Sequence, residues 1–125
     1  MKKKILLDID EVFCFSGYLE LVNEFLGTNY KIGDFKDYYI DEVAIPTAKK
    51  EAFYEFASTK DQYAKPVILP GALEGITKLS KYYDIYPCSD CRNPFDLKNS
   101  GRIFKSKFEM LYRLIPEEVI PAKNY

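Results

Sequence analysis

Close to its N-terminus the chain runs Lys4-Ile5-Leu6-Leu7-Asp8-Ile9-Asp10-Glu11, an apolar stretch that stops abruptly at two acids. A short apolar run without polar alternation predicts a strand over Lys4 to Ile9 that is covered on both faces, as strands of a parallel sheet are. Such a strand needs helices around it, and the rest of the chain supplies them. Gly17 to Leu26 carries Leu19, Val22, Phe25 and Leu26 at helical spacing, with Gly27 placed as a C-terminal cap. Thr28 to Ile45 is polar and aromatic without a clear period and reads as loop with one turn at most. Pro46-Thr47 opens a second helical pattern, with Ala48, Ala52, Phe53, Phe56 and Ala57 on one side. It ends near Ser58, and Thr59 to Pro66 is a linker.

After Pro70-Gly71, the positions Leu73, Ile76, Leu79 and Tyr83 predict a helix. Asp84-Ile85-Tyr86 then predicts a strand running into Pro87-Cys88-Ser89-Asp90. Pro87 lacks a ladder donor and predicts the end of that strand or a bulge. Asn93-Pro94-Phe95 is loop. From a cap at Ser100, a long helix is expected with Ile103, Phe104, Phe108, Leu111 and Ile115 inward, stopped by Pro116, and Val119-Ile120 begins a third strand. The order strand, helical insert, helix, strand, helix, strand is an α/β pattern, and the insert exceeds what a single crossover needs. The expected architecture is a doubly wound (Rossmann-like) parallel sheet formed by residues 1–15 and 67–125, with a small helical cap over residues 16–66 inserted after the first strand.

At 125 residues the chain is one ordinary domain, and with 47% apolar and 30% charged residues it is neither disordered nor low-complexity. Its formal net charge of -1 gives no basic field for a nucleic-acid polymer or an anionic membrane. No apolar run approaches a membrane span, and the Met1 to Lys4 start is not a secretory signal. Three cysteines fit a reducing compartment, so a soluble cytoplasmic protein is expected. Histidine is absent, which excludes Ser-His-Asp and Cys-His catalysis and leaves proton transfer to carboxylates, Lys, Tyr or Cys.

The chemistry concentrates at Asp8 and Asp10. Carboxylates at i and i+2 of a strand share a face, and ligand sites of open α/β sheets lie outside the carboxyl ends of the strands. Two acids so close repel one another unless a cation neutralises them, and hard oxygen ligands of this kind suit Mg²⁺ completed by a substrate phosphate. An ordinary acidic turn after a strand is the plain alternative. The enzymatic reading requires both side chains to face a cavity and not to be consumed by nearby basic groups.

Asp8-Ile9-Asp10-Glu11-Val12 resembles the first motif of the haloacid-dehalogenase-like phosphohydrolases, which open with an apolar strand running into Asp-x-Asp-x-Val/Thr. Leu69-Pro70-Gly71-Ala72-Leu73-Glu74 and the run Leu79 to Ile85 resemble the 5'(3')-deoxyribonucleotidase branch. Gly27 to Tyr30 followed by Asp34 to Tyr38 is similar to its cap entry. The resemblance spans residues 4 to 123. It implies Asp8 as the nucleophile taking the phosphoryl group, Asp10 as general acid and base, and Mg²⁺ on Asp8 and Asp10. It places Ser89 at the second motif as a hydroxyl on a phosphoryl oxygen, with Asp90 beside it. Lys123 falls at the third motif, with Lys98, Lys105 and Lys107 as competitors that read as solvated helix charges. The implied substrate is a small phosphorylated metabolite or a nucleoside monophosphate, with Phe35, Tyr38 and Tyr39 available to stack on a base and Arg92 to pair with a phosphate.

The family's fourth motif, a pair of acids beyond the lysine, has no counterpart before Tyr125, and Glu117-Glu118 precede the third strand. The implied sheet is therefore truncated, with the edge of the first strand bare. A homo-oligomer, a partner subunit or a truncated, catalytically defective homologue acting as a binding or regulatory subunit is expected from that edge. Cys88-Ser89-Asp90-Cys91, with Cys14, has the spacing of a thiol or zinc module but without histidine to complete it, and unpaired thiols near a pocket are the favoured reading.

Overall fold

The computed structural model describes residues 1–37, 39–91 and 100–125. The opening run forms β1 (Lys3–Asp8), which pairs in parallel with β4 (Tyr83–Cys88), Lys3 standing opposite Tyr83 and Asp8 opposite Cys88. Between them lie β2 (Cys14–Phe15), α1 (Tyr18–Leu26), α2 (Ile40–Ala44), α3 (Lys50–Ser58), β3 (Val67–Ile68) and α4 (Ala72–Leu79). α5 (Ser100–Leu114) follows β4, and short 3₁₀ turns cover Ile32–Asp34, Thr47–Lys49 and Ala122–Asn124. The fold is thus mixed α/β around a small parallel pair. Among the described residues the sheets are β1–β4 and an antiparallel β2–β3.

The parallel pair exists because the chain after β1 travels through the insert and α4 before returning, the crossover that parallel strands require. α4 and α5 feed one apolar cluster with the strands, built on Ile9, Phe13, Ile76, Ile85, Met110 and Leu111, with Leu7 packed against it. β1 differs from the expected strand buried on both faces. Ile5 and Leu7 are half-buried, whereas Lys4, Leu6 and Asp8 on the alternate face are exposed, Leu6 at 72%. A run of three apolar residues looks the same whether one face or two are covered. β4 does not stop at Pro87 but carries it in register opposite Leu7 and ends at Cys88.

The expected third strand is absent from the described fold. Val119 and Ile120 are buried, yet both donate their N–H groups to the Pro116 carbonyl, at 2.9 and 3.2 Å, so the segment closes as a turn. Pro121 then lacks a donor, and the 3₁₀ turn Ala122–Asn124 follows. The buried Asn124 amide donates to the Ile85 carbonyl at 2.9 Å, a side chain closing the outer edge of β4.

The insert has its own apolar cluster. Leu21, Val22, Ile40, Ile45 and Phe53 are buried together, and the Phe53 ring meets Tyr18, Phe25 and Tyr54 at centroid distances of 5.8, 5.4 and 5.5 Å. Gly27 ends α1 in the left-handed conformation (φ 68°), with its N–H bonded to the Asn23 carbonyl. α2 replaces much of the expected loop, while Ala48 and Ala52 of the second helical pattern face solvent. The chain enters and leaves the insert side by side: the Gly17 N–H donates to the Gln62 carbonyl at 2.6 Å, just beyond the β2–β3 pair. A Cβ on Gly17 would lie 3.2 Å from that carbonyl oxygen, a tight contact that the backbone would have to ease by a few tenths of an ångström, so glycine suits the approach.

No described helix is long and apolar enough to cross a membrane. Phe53 is fully buried and central to the insert cluster, so Phe53→Ala is expected to lower unfolding stability by about 3–5 kcal/mol, read by chemical denaturation.

Candidate functional site

After β1 the backbone turns back on itself. The Ile9 carbonyl accepts from the N–H groups of Val12, Phe13 and Cys14 at 3.3, 2.9 and 3.2 Å, and the Glu11 N–H donates to the Cys14 carbonyl at 2.9 Å. Closing this turn holds Glu11 at φ 64°, the one non-glycine residue with positive φ among those described. That conformation costs an L-residue roughly 1–2 kcal/mol, and strain of this kind is tolerated where a turn must present a particular side chain. The side chain it presents is that of Asp10.

The Asp10 carboxylate is held from three sides. Lys107 Nζ donates to its Oδ2 at 2.7 Å, the Ser89 hydroxyl donates to the same oxygen at 3.3 Å, and the Tyr63 hydroxyl donates to Oδ1 at 2.9 Å. Lys107 also donates to Ser89 Oγ at 2.5 Å and to the Asp90 carbonyl at 3.0 Å. Its ammonium lies 5.0 Å from the centroid of the Tyr63 ring. The Lys107 side chain is 0% exposed against 36% for Asp10. A buried ammonium needs an acid and further acceptors, and these contacts supply them. Burial, followed by the charge of Asp10 and its hydrogen bond, pushes the Tyr63 hydroxyl far above its usual range, so it stays a donor.

Asp10 lines a cavity of about 550 Å³, with Glu11, Tyr18 and Tyr39 from one side and Arg102 and Ser106 of α5 from the other. The Tyr54 hydroxyl, also on its wall, bonds the Asp41 carboxylate, and Ser106 bonds Asp61. Burial and then the charges of Asp10 and Asp8 raise the Glu11 carboxyl above its usual value.

The sequence-predicted residues fall into distinct groups. Asp10 and Ser89 are brought into direct contact, and Asp90 joins them through its carbonyl. Asp8 stands exposed at the end of β1, where its carboxylate accepts from the Ile9 N–H at 2.8 Å, and it is outside the cavity wall. Lys123 sits exposed in the last 3₁₀ turn, and the lysine that meets Asp10 is Lys107. Lys105 is solvated, paired with Glu109 at 3.7 Å. Of the aromatic trio, Tyr39 lines the cavity and Phe35 packs in the insert cluster beside Tyr30. Tyr38, Arg92 and Lys98 lie outside the described residues.

Two participants were missed as site residues. Lys107 carries a readable signal: Ile103, Lys107 and Leu111 recur at i, i+4 and i+8 on the inward face of α5, where a lysine must find an acid. Tyr63, in the segment read as a linker, carries none.

For Mg²⁺ the described residues form no site of their own. Both Asp10 carboxylate oxygens are engaged by protein donors, and no cluster of three or more metal-ligating side chains occurs among the described residues. The Asp8 carboxylate remains, with water and a phosphate oxygen needed to complete an octahedron. The same applies to zinc: Cys14, Cys88 and Cys91 are free thiols, Cys14 buried and Cys88 exposed. No protein-family model matches the chain, and no curated protein matches it.

Removing the ammonium in Lys107→Met strands a carboxylate against the core. The expected loss is about 3 kcal/mol, the lower end for a broken buried pair because Asp10 keeps some contact with water, measured by urea denaturation. Burial, and secondarily Asp10, pushes the Cys14 thiol up to about 11. At neutral pH the exposed Cys88 is therefore expected to react first with a thiol reagent, and Cys14 only on unfolding, as mass spectrometry of the alkylated chain would record.

Proposed function

We propose that this chain is a Mg²⁺-assisted phosphomonoester hydrolase of the haloacid-dehalogenase-like type, a cytoplasmic enzyme acting on a small phosphorylated metabolite or a nucleoside monophosphate. In this reading β1 and β4 are the centre of a doubly wound, Rossmann-like sheet, and residues 16–66 are its cap. The observation that carries the reading is Asp10, which lines the cavity and is held from behind by Ser89 and the buried Lys107 ammonium at the carboxyl ends of two adjacent parallel strands. An acid, a hydroxyl and a cation at strand ends are the kinds of group that the resemblance implies, although the lysine meets Asp10 and not Asp8, the nucleophile of that resemblance.

In the proposed reaction an Asp8 carboxylate oxygen attacks phosphorus, and the bond from phosphorus to the ester oxygen breaks as the new one forms. Asp10 would pass a proton to the departing alkoxide and take one from the water that hydrolyses the aspartyl-phosphate, which requires its carboxylate to release one of the donors from Lys107, Ser89 and Tyr63. Ser89 and Lys107 would reach a phosphoryl oxygen only by giving up donors that Asp10, Ser89 and the Asp90 carbonyl now accept. A divalent ion held by Asp8 would lower the repulsion between carboxylate and phosphate.

Two specific features count against turnover and favour a second reading, because the conditions placed on the two acids are not met: Asp8 does not line the cavity, and Asp10 is bound to Lys107, whose donors go to Asp10, Ser89 and Asp90. They suit a homologue that binds a phosphorylated ligand without turning it over. Phosphate release from a panel of nucleotides and sugar phosphates, with and without Mg²⁺, separates the two. The enzyme reading expects Mg²⁺-dependent release, its loss to background in Asp8→Asn, and a fall of roughly 10²–10⁴-fold in Asp10→Asn. Equal rates in the parent and Asp8→Asn refute it. Ligand binding by calorimetry that disappears in Lys107→Met, with no turnover, establishes the second reading.

A further inference from the structure

β1 has one edge in use. Among the described residues the main chain of Lys3–Asp8 makes its ladder with β4 alone, and no other main-chain hydrogen bond reaches it. On the opposite margin of the pair the Asn124 amide occupies the Ile85 carbonyl, so β4 has a protein partner on its outer side. On the same strand the exposed face presents Lys4, Leu6 and Asp8 in alternation, with Leu6 72% exposed and Tyr86 of β4 beside it.

We infer that β1 pairs antiparallel with β1 of a second copy of this chain about a two-fold axis through Leu6. The strand is its own complement in that register. Leu6 meets Leu6, Lys4 of each copy meets Asp8 of the other on the exposed face, and Ile5 meets Leu7 on the core face. Opposite charges and apolar pairs directly across an antiparallel ladder are the favourable combinations, and a two-fold interface must be self-complementary in this way. Other registers are disfavoured. A shift of one residue sets the exposed face of one copy against the core face of the other, and a shift of two sets Lys4 against Leu6. The lysines that guard this edge against indiscriminate pairing thus admit one alignment. The product is a four-stranded sheet in the order β4–β1–β1–β4, with Leu6 removed from water.

Sedimentation velocity of the whole chain, with circular dichroism to certify the fold of each variant, tests the pairing independently of any activity. The parent is expected at twice 14.6 kDa. Lys4→Asp, which places two acids opposite each other at both ends, is expected to lose the dimer. Lys4→Asp combined with Asp8→Lys restores opposite charges and is expected to recover it. Leu6→Asp on the two-fold axis, at an exposed site that leaves the core untouched, is expected to be monomeric. A parent that stays monomeric over the accessible concentration range, a dimer that survives Lys4→Asp, or a double variant that remains monomeric overturns the inference.

Discussion

An ammonium placed out of reach of water dictates much of this structure. Lys107 projects from α5 into the space between the turn after β1 and the end of β4, and it is stable there only while Asp10, Ser89 and the Asp90 carbonyl surround it. Asp10 follows β1 while Ser89 and Asp90 follow β4, so one side chain ties α5 to both strand ends. The attraction gained in a low-dielectric interior is offset by the loss of hydration, so the pair is weak evidence for high stability. Its larger effect is on alignment. β4 must run through Pro87 to Cys88 to deliver Ser89, and Glu11 must accept a positive φ so that Asp10 points inward. Tyr63 completes the arrangement, its hydroxyl on the acid and its ring beside the ammonium.

The cavity in front of this group lies between two apolar clusters with different origins. Its floor belongs to the cluster of strands, α4 and α5, and its other wall to the aromatic cluster of α1, α2 and α3. Its surroundings are mixed in charge, with Arg102 and Lys105 facing Asp41, Asp61 and Glu109. The cavity therefore carries no broad positive field.

Much of the framework was legible because it is periodic or punctuated. The apolar run gave β1, Gly27 marked the end of α1, the apolar spacing after Gly71 gave α4, and Ile85 marked β4. Asp10 and Ser89 were legible as strand-end polar residues, and they meet. What escaped has physical reasons. β2 and β3 are two residues each and carry no period. Val119 and Ile120 read as a strand from composition, but the flanking prolines turn their N–H groups inward. Lys107 was hidden by the usual rule that helix lysines are solvated, although its place on the apolar stripe of α5 contradicts that rule. Lys123 was favoured by position in the chain, and position says little about which lysine the fold buries. Tyr63 depends on a contact across 53 positions of sequence, which local spacing does not encode.

The close pass of Gly17 and Gln62 limits how the molecule can breathe. Both crossings between the strand region and the aromatic helices are fastened together there, so those helices hang from a narrow neck and not from two separated posts. Tyr63, the next residue after Gln62, reaches from this neck to the Asp10 carboxylate, so the same short stretch that fastens the two crossings also anchors the acid at the cavity wall.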